Sequence, residues 1–91
     1  MLIRVGKIAT RLRAARNYSV APADVCNKLF EEAGEVARAL VGELEGREGR
    51  GDLVQEAAQT IIVLASLVFI THPEADLDDA VAQEMLALAS G

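Results

Sequence analysis

The run Ile61-Ile62-Val63-Leu64-Ala65-Ser66-Leu67-Val68-Phe69-Ile70 sets the hardest constraint on this chain of 91 residues. It is the one long apolar stretch, and it must find an enclosing surface. Ten residues fall well short of the roughly twenty that span a bilayer as a helix, so the run is expected to be a buried helix with no membrane partner. The chain as a whole is 52% apolar, with two Phe, one Tyr and no Trp. Its excess is mainly Ala, Leu and Val, and Ala and Leu favour helix. A chain this short buries a limited share of its own surface. Part of the core is therefore expected between subunits.

Apolar periodicity predicts four helices and no strand. Leu2, Val5, Ile8, Ala9 and Leu12 mark an amphipathic helix over about 2–16. Asn17-Tyr18-Ser19 breaks it. Pro22 suits the first turn of a second helix, which runs to about Leu44. The stretch Glu45-Gly46-Arg47-Glu48-Gly49-Arg50-Gly51 holds three glycines and no apolar residue, so it reads as a loop. Asp52 is a suitable N-cap for a third helix over about Leu53–Thr71, closed by His72-Pro73. Asp76, with Asp79 three residues on, caps a short fourth helix over about Leu77–Ala89. No stretch alternates with period two. The expectation is a single domain, residues 1–91, folded as an all-α bundle that assembles into an oligomer.

Charge is distributed unevenly. Residues 1–20 carry five bases and no acid, whereas residues 21–91 carry four bases against fourteen acids. An acidic body argues against general nucleic-acid binding by phosphate neutralisation. The basic start reads either as a solvated helix face or as steering for a phosphorylated ligand. Cys26 is alone, which removes a disulfide framework and zinc spacing. With no secretory signal pattern, a cytoplasmic location is expected.

The chemistry-bearing feature is Glu31-Glu32-Ala33-Gly34-Glu35, followed by Glu56-Ala57-Ala58-Gln59. On the second helix Lys28, Glu32 and Glu35 share a ~60° arc, with Leu29, Ala33, Val36 and Leu40 on the adjoining arc. Glu32 thus borders the apolar stripe, while Glu31 points further to solvent, near Arg38. On the third helix Asp52, Glu56, Gln59 and Val63 share an arc, and beyond Thr60 the helix is apolar all round. That pattern predicts enclosure on several sides. If the two helices are neighbours, their acids face each other across a partly dry seam, where unpaired carboxylates cost several kcal/mol each. A hard divalent cation, Mg²⁺ or Mn²⁺, removes that cost through oxygen ligands. The competing reading is a solvated acidic face. Lys28 likewise is either a phosphate ligand or the i, i+4 partner of Glu32.

The stretches Lys28-Leu29-Phe30-Glu31-Glu32-Ala33-Gly34-Glu35-Val36-Ala37 and Leu53-Val54-Gln55-Glu56-Ala57-Ala58-Gln59-Thr60-Ile61-Ile62 resemble the EExxE…ExxD signature of the all-α nucleoside triphosphate pyrophosphohydrolases. That superfamily includes MazG-like proteins, dimeric dUTPases and phosphoribosyl-ATP pyrophosphohydrolase. The resemblance covers roughly residues 20–72. It implies a MazG-like bundle that cleaves a nucleotide between its α- and β-phosphates, giving a monophosphate and pyrophosphate. It further implies that Glu32, Glu35 and Glu56 hold Mg²⁺, that Glu31 or a neighbouring acid accepts a proton from the attacking water, and that Lys28 offsets phosphate charge. A homodimer or homotetramer is implied too, with sites near subunit interfaces. Gln59 departs from the pattern, which has Asp at that position. Asp52 or Glu31 could replace the missing acid. A neutral amide weakens the expected Mg²⁺ site, so the alternative implied is a catalytically weakened relative that binds nucleotide or serves as a helical oligomerisation module.

Overall fold

A computed structural model describes residues 1–46 and 52–91. Four helices occupy them: α1 (Leu2–Ala15), α2 (Pro22–Leu44), α3 (Leu53–Thr71) and α4 (Leu77–Ser90). No strand occurs among the described residues. Glu45 and Gly46 form the turn that ends α2, and the remainder of the expected loop, 47–51, lies outside the described residues.

Local chemistry accounts for the helix ends. Asp52 accepts a hydrogen bond from the Val54 amide at 2.8 Å and Asp76 from the Asp79 amide at 2.9 Å, so each carboxylate satisfies a donor that its helix leaves free. Asn17 ends α1 with a positive φ of 60°. The Tyr18 amide then donates to the Arg13 carbonyl at 2.9 Å and the Asn17 amide to that of Ala14 at 3.1 Å, the paired bonds of a Schellman cap. This cap fixes where Tyr18 stands. His72, with φ −138° and ψ 68°, leaves helical geometry just before Pro73.

α3 is the common partner of α1 and α2, and α1 carries α4 through a smaller contact. The result is a thin layer of 44 × 43 × 20 Å. Its radius of gyration, 15.0 Å, exceeds the ~12 Å of a compact globule of this length. α1 approaches α3 closely because Gly6 has no side chain: a Cβ there would stand 2.4 Å from the Ala65 carbonyl oxygen. Beside this contact the Thr10 and Ser66 hydroxyls share a 2.8 Å hydrogen bond, and Thr10 also donates to the Gly6 carbonyl. A further tie joins α4 to the start of α1. The Asp78 carboxylate accepts from the Leu2 amide at 2.8 Å, the Met1 amine at 2.9 Å and the Ile3 amide at 3.2 Å.

Two expectations about packing change. The apolar half of α3 is not enclosed by its own chain: only Ala65 and Ser66 are buried, while Ile61, Ile62 and Leu64 are about half exposed. A thin layer offers α3 walls on two sides and leaves the other two open. α3 as a whole, 19 residues, is also long and apolar enough to cross a membrane by length and composition, which the ten-residue run alone is not. On α2 the buried stripe is Val25, Glu32, Ala39 and Gly42, with Ala33 and Leu40 exposed. Glu32 therefore sits in the middle of the contact stripe. Ala39 and Gly42, the small residues that follow it in the stripe, let the helices close beside a carboxylate.

Candidate functional site

The seam between α2 and α3 brings Glu32, Glu56 and Gln59 together. Glu32 retains 8% of its exposure, the one buried charged side chain among the described residues. Its Oε1 faces the Lys28 ammonium at 3.1 Å, one helical turn back. Its Oε2 faces the Gln59 amide across the seam at 3.1 Å, and the same end of that amide lies 3.2 Å from Glu56 Oε2. The two ends of a glutamine amide have nearly the same shape, so their assignment follows from the partners. With nitrogen towards the seam, Gln59 donates to both carboxylates and bridges them. With oxygen there, three oxygens converge with no proton between them, an arrangement that a hard cation stabilises.

The remaining expected site residues sit around this core. Glu35 is held by Arg38 in an i, i+3 ion pair on α2. Arg38 is also close enough to Glu56 to feel its charge, and both carboxylates, Glu35 foremost, hold the guanidinium above its ordinary pKa. Glu31 is exposed, as expected, but its partner is Lys28 at 3.6 Å, whereas Arg38 takes Glu35. The hydrogen bond and charge of Glu32, followed by Glu31, raise the pKa of Lys28 against its partial burial. Asp52 is committed to the α3 N-cap through Val54 and adds no acid to the seam.

Two carboxylates and an amide carbonyl are a workable donor set for Mg²⁺, which commonly takes one or two protein carboxylates and leaves other positions to water and phosphate. Glu32, Glu56 and Gln59 meet that requirement if the amide presents its oxygen. Glu35 does not join them: among the described residues no three or more acids, histidines or cysteines form a group able to hold a metal ion. Sequence reasoning brought Glu32, Glu56 and Gln59 to one seam through their helical arcs. It missed Arg38 as a neighbour of both Glu35 and Glu56, although the i, i+3 spacing from Glu35 was a usable signal.

The fold and site thus define a class, a thin all-α chain with a buried glutamate bridged across a helix seam. Comparison with protein-family models, curated proteins and solved structures finds no match.

Proposed function

We propose that the protein is a Mg²⁺-dependent nucleotide pyrophosphohydrolase of the MazG-like kind, cleaving a nucleoside triphosphate or similar nucleotide between its α- and β-phosphates. The observation that carries this reading is the convergence of Glu32, Glu56 and Gln59 on one point of the α2–α3 seam. Glu32 keeps 8% of its exposure at the centre of a helix contact, where Lys28 and the Gln59 amide meet its two oxygens. Glu32, Glu56 and the turned Gln59 amide would hold Mg²⁺, with Mn²⁺ as a substitute. When bound, the ion offsets phosphate charge and lowers the pKa of water.

The chain's own residues supply the rest. Lys28, at the solvent edge of the seam, offers a positive charge to the phosphates without leaving Glu32. Glu31, exposed beside Lys28, would accept the proton of an attacking water. The exposed apolar residues of α3 and α4, among them Ile61, Leu64, Met85 and Leu88, support a homodimer or homotetramer in which these faces are covered.

A second reading draws on the Gln59 bridge itself. An amide that already satisfies Glu32 and Glu56, together with an arginine that holds Glu35, does without a cation. That arrangement favours a catalytically weakened relative that binds nucleotide or acts as a helical oligomerisation module. Pyrophosphate release from a panel of nucleoside triphosphates and phosphoribosyl-ATP, with and without Mg²⁺, separates the two. The enzyme reading expects Mg²⁺-dependent release that Glu32→Ala and Glu56→Ala abolish. Silence across the panel would overturn it in favour of the second.

A further inference from the structure

A cavity of about 220 Å³ opens between α1 and α3, on the same stripe of α3 as Gln59. Its α3 lining, Ile62, Val63 and Ser66, follows Gln59 at i+3, i+4 and i+7, which places all four on one helix face. Ala9, Leu12 and Tyr18 complete the lining; Ala9 and Ser66 are buried beneath it, whereas Leu12 and Tyr18 are exposed at its edge. Tyr18 is held there. Its amide belongs to the α1 cap, and Arg13 lies over its ring at 5.8 Å while donating from Nε and Nη2 to the Ser19 carbonyl at 3.1 and 2.8 Å. Arg16 is different: its guanidinium makes no hydrogen bond or ion pair among the described residues.

The direction of the helices orders these parts. α1 runs antiparallel to α3, since Leu2 and Ile3 lie beside Phe69 and His72 whereas Arg13 and Arg16 lie beside Ile62 and Val63. Arg16 is therefore at the end of the cavity that faces Gln59. The volume is below the ~300 Å³ of sites that take a whole drug-sized ligand, so one planar ring system fits and its substituents must lie outside. A largely apolar lining with an aromatic side chain at its edge suits a ring face, and an unpaired guanidinium at the end towards Gln59 suits a phosphate.

We propose that this cavity receives the base of the nucleotide whose phosphates lie at the Glu32–Gln59–Glu56 seam, with Arg16 contacting a phosphate between the two. The inference rests on the nucleotide reading given above, but base binding needs neither metal nor turnover. The test is calorimetric titration of the full chain in EDTA with the four ribonucleoside 5′-monophosphates and with ribose 5-phosphate, which has no base. The variants are Tyr18→Ala, Arg16→Ala and Ile62→Glu; Ile62 is 43% exposed, so its substitution leaves the core in place. The expected result is that monophosphates bind and that Tyr18→Ala and Ile62→Glu weaken them roughly tenfold or more, the scale of lost base stacking. Arg16→Ala should weaken monophosphates and ribose 5-phosphate alike. Wild-type protein that binds no monophosphate, or variants that bind as well as wild type, would overturn the proposal. So would an Ile62→Glu protein that sediments as a smaller species than wild type, because the cavity would then be a contact with a second copy. Monophosphate binding without pyrophosphate release sinks the hydrolase reading alone, and release indifferent to Tyr18 and Ile62 sinks the cavity alone.

Discussion

The Gln59 amide stands 3.1 Å from Glu32 Oε2, so a buried carboxylate on α2 meets a neutral group on α3 where the resembled family has an acid. In Gln59→Asp the bridge becomes a third negative charge. Without metal, Glu56 and the Oε2 of Glu32 lose this donor, while Lys28 still meets Glu32 Oε1. The protein should be destabilised by about 1 kcal/mol, the lower end of the cost of an unmet buried acceptor. Mg²⁺ should restore the loss and raise Tm more than it does for wild type. Thermal unfolding in EDTA and in Mg²⁺ checks both halves, and a variant indifferent to Mg²⁺ would show that Gln59 is not what limits metal binding.

Arg38 restrains the same site from the other side. It pairs with Glu35 and lies within the electrostatic reach of Glu56. Arg38→Ala removes one positive charge and frees Glu35 to approach the seam. Hard cations respond to ligand charge, so Mn²⁺ affinity measured by electron paramagnetic resonance should rise in this variant. A fall would mean that Arg38 supports the site.

Gly6 tests the packing of α1 on α3. A Cβ at this position would stand 2.4 Å from the Ala65 carbonyl oxygen and 2.8 Å from its carbon, and both are backbone atoms that cannot rotate away. Gly6→Ala should therefore lower stability by about 1–3 kcal/mol despite alanine's better helix propensity. Denaturant titration measures it. A gain in stability would show that α1 does not seat this closely.

Asp78 makes the tie between α4 and α1 pH-dependent. Hydrogen bonds from the Leu2 amide, then from the Met1 amine and the Ile3 amide, lower its pKa from 3.8 to about 2. A carboxylate whose pKa falls on folding contributes stability above its unfolded value and loses it as pH drops through the folded one. The contribution is thus complete only above about pH 5, is mostly lost by pH 2 and is gone only below that. Wild type should unfold at a higher temperature than Asp78→Asn at pH 5, and most of the gap should be lost by pH 2. A gap as wide at pH 2 as at pH 5 would assign it to something other than this charge.

Much of the fold was legible because its signals are local. Asp52, Asp76, Pro22 and His72-Pro73 each act on their own turn, and each marks a boundary the structure keeps. The meeting of Glu32, Glu56 and Gln59 was legible in part, since helical arcs select which residues face a neighbour. The leucine pattern puts Glu32 at the border of its stripe, whereas Ala39 and Gly42 make the contact and leave Leu40 half exposed. The choice of Glu35 over Glu31 by Arg38 depends on side-chain reach along α2, which spacing alone does not decide. The open faces of α3 arise from the two-sided packing of a thin layer, a tertiary property with no signature in an apolar run.

If the protein is the proposed hydrolase, Glu32, Glu56 and the turned Gln59 amide hold a divalent ion beside the phosphates of a bound nucleotide. The most direct measurement is a crystal structure with Mn²⁺ and a non-hydrolysable nucleoside triphosphate, using the anomalous signal of the metal. The account predicts a peak between Glu32 and Glu56 at oxygen-ligand distance, with the Gln59 amide oxygen turned towards it and phosphate beside it. Nucleotide bound without an anomalous peak there, and with the amide nitrogen of Gln59 still bridging the two glutamates, would contradict it.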